Sequence, residues 1–248
     1  MNDKKVIICD LDGTLAPSKS AVSSEMAETI SKILVSHKLA IISGGGYSQF
    51  QKQFLSELTP SENFKNLYLF PTMGSTCYIW DVESKKWKQS YDESMTPEQR
   101  DEIVLACEKL IKDESLDVLA SYGERVEDRG SQVTFSALGQ EAPLDLKEKW
   151  DPTQEKRRRF VEILKTYIPK YEIRIGGMTS IDITKSGLDK AYAIGKIKEL
   201  LKIEEREMVF IGDALYEGGN DAPIKKTGVD YIQQSGPEET LEYLMQLV

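Results

Sequence analysis

A single histidine, His37, stands among 248 residues, so neither a multi-histidine metal centre nor a histidine proton relay can be assembled. Cysteine is nearly as sparse. Cys9, Cys77 and Cys107 lie far apart and form no CxxC pair, which argues for reduced intracellular thiols and against a disulfide framework or a zinc site. Positive charge is in deficit, with 32 basic against 41 acidic residues, a net charge of −9 and a pI near 4.9. That balance argues against nucleic acid or an anionic membrane surface as a partner. Long apolar runs are missing as well: no stretch approaches the ~20 residues of a membrane span. Met1-Asn2-Asp3-Lys4-Lys5 leads into only four apolar residues, Val6 to Cys9, too few for the apolar region of a secretory leader. The expected compartment is the cytoplasm. Any catalysis must fall to carboxylates, lysine and hydroxyls.

What is present is ordinary globular material, 40% apolar and 29% charged, enough to bury a substantial core. Val6-Ile7-Ile8-Cys9, Leu39-Ala40-Ile41-Ile42 and Leu67-Tyr68-Leu69-Phe70 are short apolar runs of the kind buried on both faces of a parallel sheet. Between them, Ser23 or Ser24 caps a helix with Met26, Ile30, Ile33 and Leu34 on one face, and a second helix bears Phe50, Phe54 and Leu58. The pattern then changes. Cys77–Trp80 and Trp87–Gln89 predict an antiparallel hairpin. Thr96-Pro97-Glu98-Gln99 and Asp151-Pro152-Thr153-Gln154 predict capped helix starts. Val118–Tyr122, Gln132–Phe135, Glu172–Ile175 and Ser180–Ile183 alternate like strands with one covered face. Lys156-Arg157-Arg158-Arg159 reads as a solvated helix face. From Gly187 the parallel pattern returns, with strands at Met208–Ile211 and Val229–Ile232. The expectation is a doubly wound, Rossmann-like parallel α/β core over 1–82 and 187–248, interrupted by an α+β module over 83–186.

The densest chemical signal is Asp10-Leu11-Asp12-Gly13-Thr14, directly off the first buried strand. Ligands of open α/β sheets bind outside the carboxyl ends of the strands. Two aspartates there repel unless a cation or a proton is shared. An oxygen-seeking divalent ion such as Mg²⁺ resolves that repulsion and clamps a phosphate; one aspartate can then attack phosphorus while the other handles the proton. The bland alternatives are a polar strand-to-turn junction or a calcium loop, whose glycine belongs at the sixth position after a helix, whereas Gly13 is fourth after a strand. Ser43 with Gly44 and Gly45 follows the second strand, where a hydroxyl and backbone N–H groups suit phosphate oxygens; a merely flexible turn would read the same. Lys190, in the first turn of the helix re-entering the core, could neutralise phosphate and nucleophile, though an exposed helix lysine is the commoner case. Asp213, in Gly212-Asp213, falls at the sheet edge that carries Asp10, and the glycines after it would let Asn220 and Asp221 return to support the metal.

This ordered set, an aspartate pair, a hydroxyl, a lysine and a Gly-Asp…Asn-Asp loop at successive strand ends, resembles the haloacid dehalogenase (HAD) superfamily of phosphotransferases, and the large insertion resembles its large-cap phosphatases. Gly176-Gly177-Met178-Thr179-Ser180-Ile181-Asp182-Ile183 running into Gly187-Leu188-Asp189-Lys190, Gly218-Gly219-Asn220-Asp221, and the Tyr47, Phe50, Gln51, Gln53 spacing resemble the eukaryotic-type phosphomannomutases. The resemblance implies a covalent phosphate on Asp10, acid/base work by Asp12, and Mg²⁺ held by Asp10, the Asp12 backbone carbonyl and Asp213. It also implies substrate contacts from Arg129, Ser180 and Asp182 in a cap that closes over the site, with Lys19 where the family has an arginine, and a homodimer formed through the caps.

The departures bear on the reaction. The family pattern places cap arginines where Gln140 and Tyr122 stand, and forgoing a charge-assisted hydrogen bond to phosphate costs roughly 1.5–3 kcal/mol. Arg125 or Arg174 are candidates to compensate. Met73-Gly74 replaces the usual Asn-Gly after the third strand. The reading tilts to a Mg²⁺-dependent sugar-phosphate phosphatase, with phosphomannomutase activity as the alternative and a non-catalytic sugar-phosphate-binding protein as the remote one.

Overall fold

Val6–Asp10 (β1) has no polar residue before its last position and is buried throughout. Its neighbours repeat the device. In the computed structural model, which describes residues 4–248, the first segment continues through α1 (Ser24–Ser36), β2 (Lys38–Ile42), α2 (Tyr47–Gln53), β3 (Leu67–Phe70), β4 (Thr76–Asp81) and β5 (Lys86–Asp92). The inserted segment holds α3 (Pro97–Asp113), β6 (Val126–Asp128), β7 (Gln132–Ser136), α4 (Leu144–Trp150), α5 (Glu155–Tyr167), β8 (Tyr171–Ile175) and β9 (Ser180–Lys185). The chain then returns with α6 (Lys190–Leu201), β10 (Met208–Gly212), β11 (Asp230–Gln233) and α7 (Pro237–Met245). Two compact units result: one runs to Glu93 and resumes over Leu188–Val248, and the other is Ser94–Gly187.

The first unit is a seven-stranded sheet in the order β11-β10-β1-β2-β3-β4-β5, parallel from β11 to β3 and antiparallel across β4 and β5. One face packs on α1 and α7 through Met26, Ile30, Ile33 and Leu244; the other packs on α6 through Ala193, Ile194 and Ile197. The Ser23 side chain caps α1 by accepting from the Met26 N–H at 3.1 Å. The helix expected to carry Phe50, Phe54 and Leu58 is shorter: α2 ends at Gln53, and a 3₁₀ turn at Leu55–Glu57 carries the chain on. The expected first domain boundary at 82 moves to 93, because β5 pairs along its length with β4 (Trp80↔Trp87, Asp81↔Lys86) and so belongs to this sheet.

In the second unit a four-stranded antiparallel sheet, β6-β7-β9-β8, turns Val133, Phe135, Ile181 and Ile183 toward Ile103 and Leu110 of α3 and Phe160 and Leu164 of α5. Thr96 and Gln99 form the expected capping box on α3. Val118–Tyr122 is not a strand. Its main-chain carbonyls at Leu119 and Ala120 accept from the Arg125 guanidinium at 2.9 and 3.4 Å in place of a neighbouring strand, Val118 is exposed, and the edge strand is β6. Helix α5 starts later than expected, at Glu155, yet Asp151 still caps it by accepting from the N–H groups of Lys156 and Arg157 at 3.1 and 3.0 Å.

Arg157 also corrects the reading of the basic run. It is 4% exposed rather than solvated; its Nε donates to Asp151 Oδ2 at 2.9 Å, Nη2 to the Asp151 carbonyl at 2.9 Å, and Nη1 to the Gly177 carbonyl. A cavity of about 330 Å³ lined by Lys147, Gln154 and Met178 borders the pair. Burial works against ionisation of Asp151, but the hydrogen bonds from Arg157 and the two backbone N–H groups outweigh it and hold its carboxyl below the usual carboxylate range. Removing one partner of a buried pair strands the other charge, which costs 3–5 kcal/mol where water is excluded; with a cavity alongside, Arg157→Met should cost about 3 kcal/mol. Because the folded pKa of Asp151 is depressed, its contribution is present above the unfolded value of about 4 and lost as pH falls through the folded one. The gap in urea midpoint between wild type and Arg157→Met should therefore be wide at pH 7 and shrink below about pH 4; a gap independent of pH would mean that the ion pair is not its source.

Candidate active site

Adjacent parallel strands bring the chemistry to one edge of the first sheet. Cys9 is in register with Ile211 and Asp10 with Ile42, so Asp10, Ser43 and Asp213 all emerge at the carboxyl ends of β1, β2 and β10. Lys190, expected to be exposed had it been an ordinary helix lysine, is 0% exposed at the start of α6. Its Nζ donates to Asp10 Oδ1 at 2.5 Å and to Asp221 Oδ1. Asp221 Oδ2 accepts from the Ala214 N–H at 3.0 Å. Burial is the largest influence on Asp10; Lys190 pulls against it and Asp221 and Asp213 reinforce it, leaving the carboxyl pushed up to about 6.

Asp10 Oδ2 is buried and has no hydrogen-bond partner. Asp213 is held by Thr14, whose hydroxyl donates to Oδ1 at 3.1 Å. Gly13, at φ +88°, lies so close to Asp213 that a Cβ there would fall 2.6 Å from Oδ2, so only glycine admits that carboxylate. An unpartnered buried carboxylate oxygen beside a second carboxylate fits a hard divalent cation. The carboxylates that could hold it are those of Asp10 and Asp213. Around them the Asp12 carboxylate turns to Gln49 and Gln53, Asn220 is exposed, and Asp221 bonds to Lys190 and the backbone. Among the described residues no three histidine, cysteine, aspartate or glutamate side chains make a ligand cluster.

Ser43 is buried, and its Oγ accepts from the Gly45 N–H at 3.0 Å. That engages the Gly45 N–H, expected to face phosphate, and leaves the Ser43 hydroxyl proton to point elsewhere. Asp12 is fixed by α2: Gln49 Nε2 donates to Oδ2 at 2.6 Å, Gln53 Nε2 to Oδ1 at 2.9 Å, and the Lys19 backbone N–H to Oδ1 at 2.7 Å. The Lys19 side chain itself is exposed. Sequence reasoning noticed Gln53 only as part of a family spacing and missed Gln49; their four-residue separation, which places both on one helix face, was the available signal.

On the second unit's sheet, the face opposite its helices carries one row across all four strands, Glu127, Thr134, Asp182 and Arg174. Asp182 Oδ1 accepts from the Thr134 hydroxyl at 2.9 Å. Burial raises its carboxyl pKa, against the pull of Arg129. Ser180 Oγ accepts from the Gly177 N–H at 2.8 Å. A Cβ on Gly176 would sit 2.6 Å from Asp182 Oδ2 and 2.8 Å from Ser180 Oγ, so glycine there makes room for both. Arg129 pairs with Glu127 at 2.6 Å and Arg174 with Glu172 at 3.1 Å. Arg125, a candidate replacement for the missing arginines, spends its guanidinium on the carbonyls of Leu119, Ala120 and Ala137.

Comparison with known proteins points one way. A sequence profile of the eukaryotic phosphomannomutase family matches residues 26–248. The phosphomannomutase of Saccharomyces cerevisiae is 29% identical over 98% of this chain and 93% of its own length, and that of Schizosaccharomyces pombe 28% identical over 89% and 85%. Among solved structures, a haloacid dehalogenase-like hydrolase from Bacteroides thetaiotaomicron superposes with a TM-score of 0.67 at 18% identity, covering 99% of this chain and all of that one. IMP-bound Plasmodium falciparum IMP-nucleotidase superposes with a TM-score of 0.68 at 18% identity, covering 98% and 68%. These two establish the HAD fold.

The cation site is open to a direct test. Mg²⁺ should raise the melting temperature of the wild-type protein, since a ligand at 100 times its Kd adds about 2.7 kcal/mol. Asp213→Asn should lose most of that rise, and an undiminished rise would put the ion elsewhere.

Proposed function

The chain belongs to the eukaryotic phosphomannomutase family, and from that membership we propose that it moves a phosphoryl group between the 6- and 1-positions of a hexose phosphate by way of a phosphorylated Asp10. It is an enzyme of the HAD phosphotransferase type acting on a sugar phosphate. The observation that carries the finer reading is the Asp10 carboxylate itself, with one oxygen held by buried Lys190 and the other unpartnered at the sheet edge. Membership favours the mutase over the hydrolase that the missing cap arginines suggested.

The chemistry divides among this chain's own groups. An Asp10 oxygen bonds to phosphorus as the bond from phosphorus to the sugar oxygen breaks, and Asp12 gives its proton to the departing oxygen. Lys190 neutralises Asp10 and the transferring oxygens, while the Ser43 hydroxyl and the Gly44 N–H donate to them. A divalent ion held by Asp10, the Asp12 carbonyl and Asp213 would add charge neutralisation at the same oxygens. In the return step Asp12 takes a proton from the sugar hydroxyl that attacks phospho-Asp10. In the second unit, Arg129, Ser180 and Asp182 are assigned to the substrate.

Hydrolysis, with water in place of that hydroxyl, is the second reading on one specific observation: the arginines that could serve the phosphate, Arg125, Arg129 and Arg174, are engaged elsewhere. Arg125 serves backbone carbonyls, and Arg129 and Arg174 face glutamates. A panel of hexose 1- and 6-phosphates with glucose 1,6-bisphosphate and Mg²⁺ separates the two, because isomer formation outpacing phosphate release identifies the mutase and the reverse identifies the phosphatase. On either outcome Asp10→Asn should lower turnover at least ~10³-fold with the circular dichroism spectrum unchanged, consistent with loss of a covalent nucleophile. Full activity in that variant would sink the mechanism.

A further inference from the structure

Helix α2 spans only Tyr47–Gln53, and the glutamines on it do more than fill its face. Gln53 is 4% exposed. A purely structural position so deeply buried would favour an apolar side chain, since a buried amide costs free energy unless hydrogen-bonded. Its amide is instead fully aimed. Gln49 Nε2 donates to Gln53 Oε1 at 2.6 Å, which fixes the orientation of the Gln53 amide and turns its NH₂ onto Asp12 Oδ1 at 2.9 Å. The second proton of Gln49 Nε2 goes to Asp12 Oδ2 at 2.6 Å. Gly45 makes this possible, because a Cβ there would fall 1.6 Å from Gln49 Oε1. The helix is in turn anchored where the Val22 N–H donates to the Gln53 carbonyl at 2.9 Å.

The two oxygens of Asp12 are thereby made unequal. Oδ1 accepts twice, from Gln53 and from the Lys19 N–H at 2.7 Å, which fills both of its lone pairs. Oδ2 accepts once, from Gln49, and keeps one lone pair. Oδ1 is a pivot, and Oδ2 is the oxygen left with capacity to carry a proton. We propose that Gln49 and Gln53 are positioning residues that act as one hydrogen-bonded unit to present Asp12 Oδ2 for proton transfer. The proposal rests on the reading of Asp12 as the acid and base of phosphoryl transfer. In the first half-reaction the proton on Oδ2 passes to the bridging oxygen as the bond from that oxygen to phosphorus breaks and the Asp10–phosphorus bond forms. The sugar leaves as a neutral alcohol, and Asp12 is left ionised with its donors in place. Small misplacements of a reacting group are costly, with about 1 Å worth up to ~10²-fold in rate.

The test compares leaving groups. Gln49→Met and Gln53→Met keep length and volume and lose the amide. Enzyme phosphorylation is followed by rapid mixing with p-nitrophenyl phosphate, whose phenolate departs without a proton, and with glucose 1,6-bisphosphate, whose sugar oxygen requires one. Each variant should slow phosphorylation by the bisphosphate 10- to 100-fold and leave the p-nitrophenolate burst within about 2-fold of wild type. The double variant should be no worse than the poorer single within about 3-fold, as expected for groups acting as a unit. Equal loss on both donors, or no loss with the bisphosphate, overturns the proposal; the burst in the same variant reports that it is folded. Asp12→Asn is run in parallel. If it treats the two donors alike, the acid/base assignment of Asp12 falls. If it discriminates while the glutamine variants do not, only the positioning role falls.

Discussion

One ammonium buried between two carboxylates governs the first unit's functional edge. A lone ion at the position of Lys190 would cost several kcal/mol after relaxation, and so would Asp10 or Asp221 without it. Each of the three therefore requires the other two, which ties the end of β1, the start of α6 and the loop after β10 to one point. The compensation is incomplete. One positive charge meets two negative ones, and Asp213 adds a further negative influence on Asp10. It is burial, against the pull of Lys190, that pushes the Asp10 carboxyl up to about 6, and Oδ2 is left with no partner. A cation at this edge would offset that charge, and it would also draw in a phosphate.

The topology delivers those groups without strain on the sheet. β10, β1 and β2 are central, adjacent and parallel, so their carboxyl ends open at one place. The insertion leaves from β5, at the sheet's far edge, and returns at α6 on one face. A segment of that size can thus be added without breaking any of the three strands that carry chemistry. The hairpin β4–β5 is the physical reason for this arrangement, since it carries the chain to the edge before the second unit begins.

How far the sequence alone revealed this follows from what each element depends on. The apolar runs of β1, β2, β3 and β10 and the capped starts of α1 and α3 are local facts, and they were legible. So were the aspartate pair, Ser43, Lys190 and Asp213, because each sits at a strand or helix end that periodicity locates. The failures are tertiary. Val118–Tyr122 has a strand's composition, but its carbonyls are claimed by Arg125 from six and five residues downstream. Arg157 looks like its neighbours in a basic run, and only the distant Asp151 and Gly177 account for its burial. Gln49 and Gln53 read as an ordinary polar helix face until Asp12, about forty residues earlier, is brought against them.

The two units carry different kinds of information. Phosphoryl chemistry needs charge in fixed places, and the first unit has it. The face of the second unit's sheet opposite its helices holds arginines in near balance with acids, Arg129 against Glu127 and Arg174 against Glu172, with Asp182 between them. Such a face exerts little net pull on a dianion at physiological salt, where exposed pairs are worth under about 1 kcal/mol. It is instead rich in directional donors and acceptors: Gln132, Thr134 and Asp182 are ordered by bonds to one another, and Ser180 by the Gly177 N–H. Recognition by hydroxyls and amides selects the stereochemistry of a sugar, because a misplaced hydroxyl leaves a desolvated partner unpaired. In an acidic chain with Tyr122 and Gln140 where the resemblance implies arginines, a sugar lying on that face would be sorted by its hydroxyls, and the buried cation able to neutralise a phosphate, Lys190, belongs to the first unit.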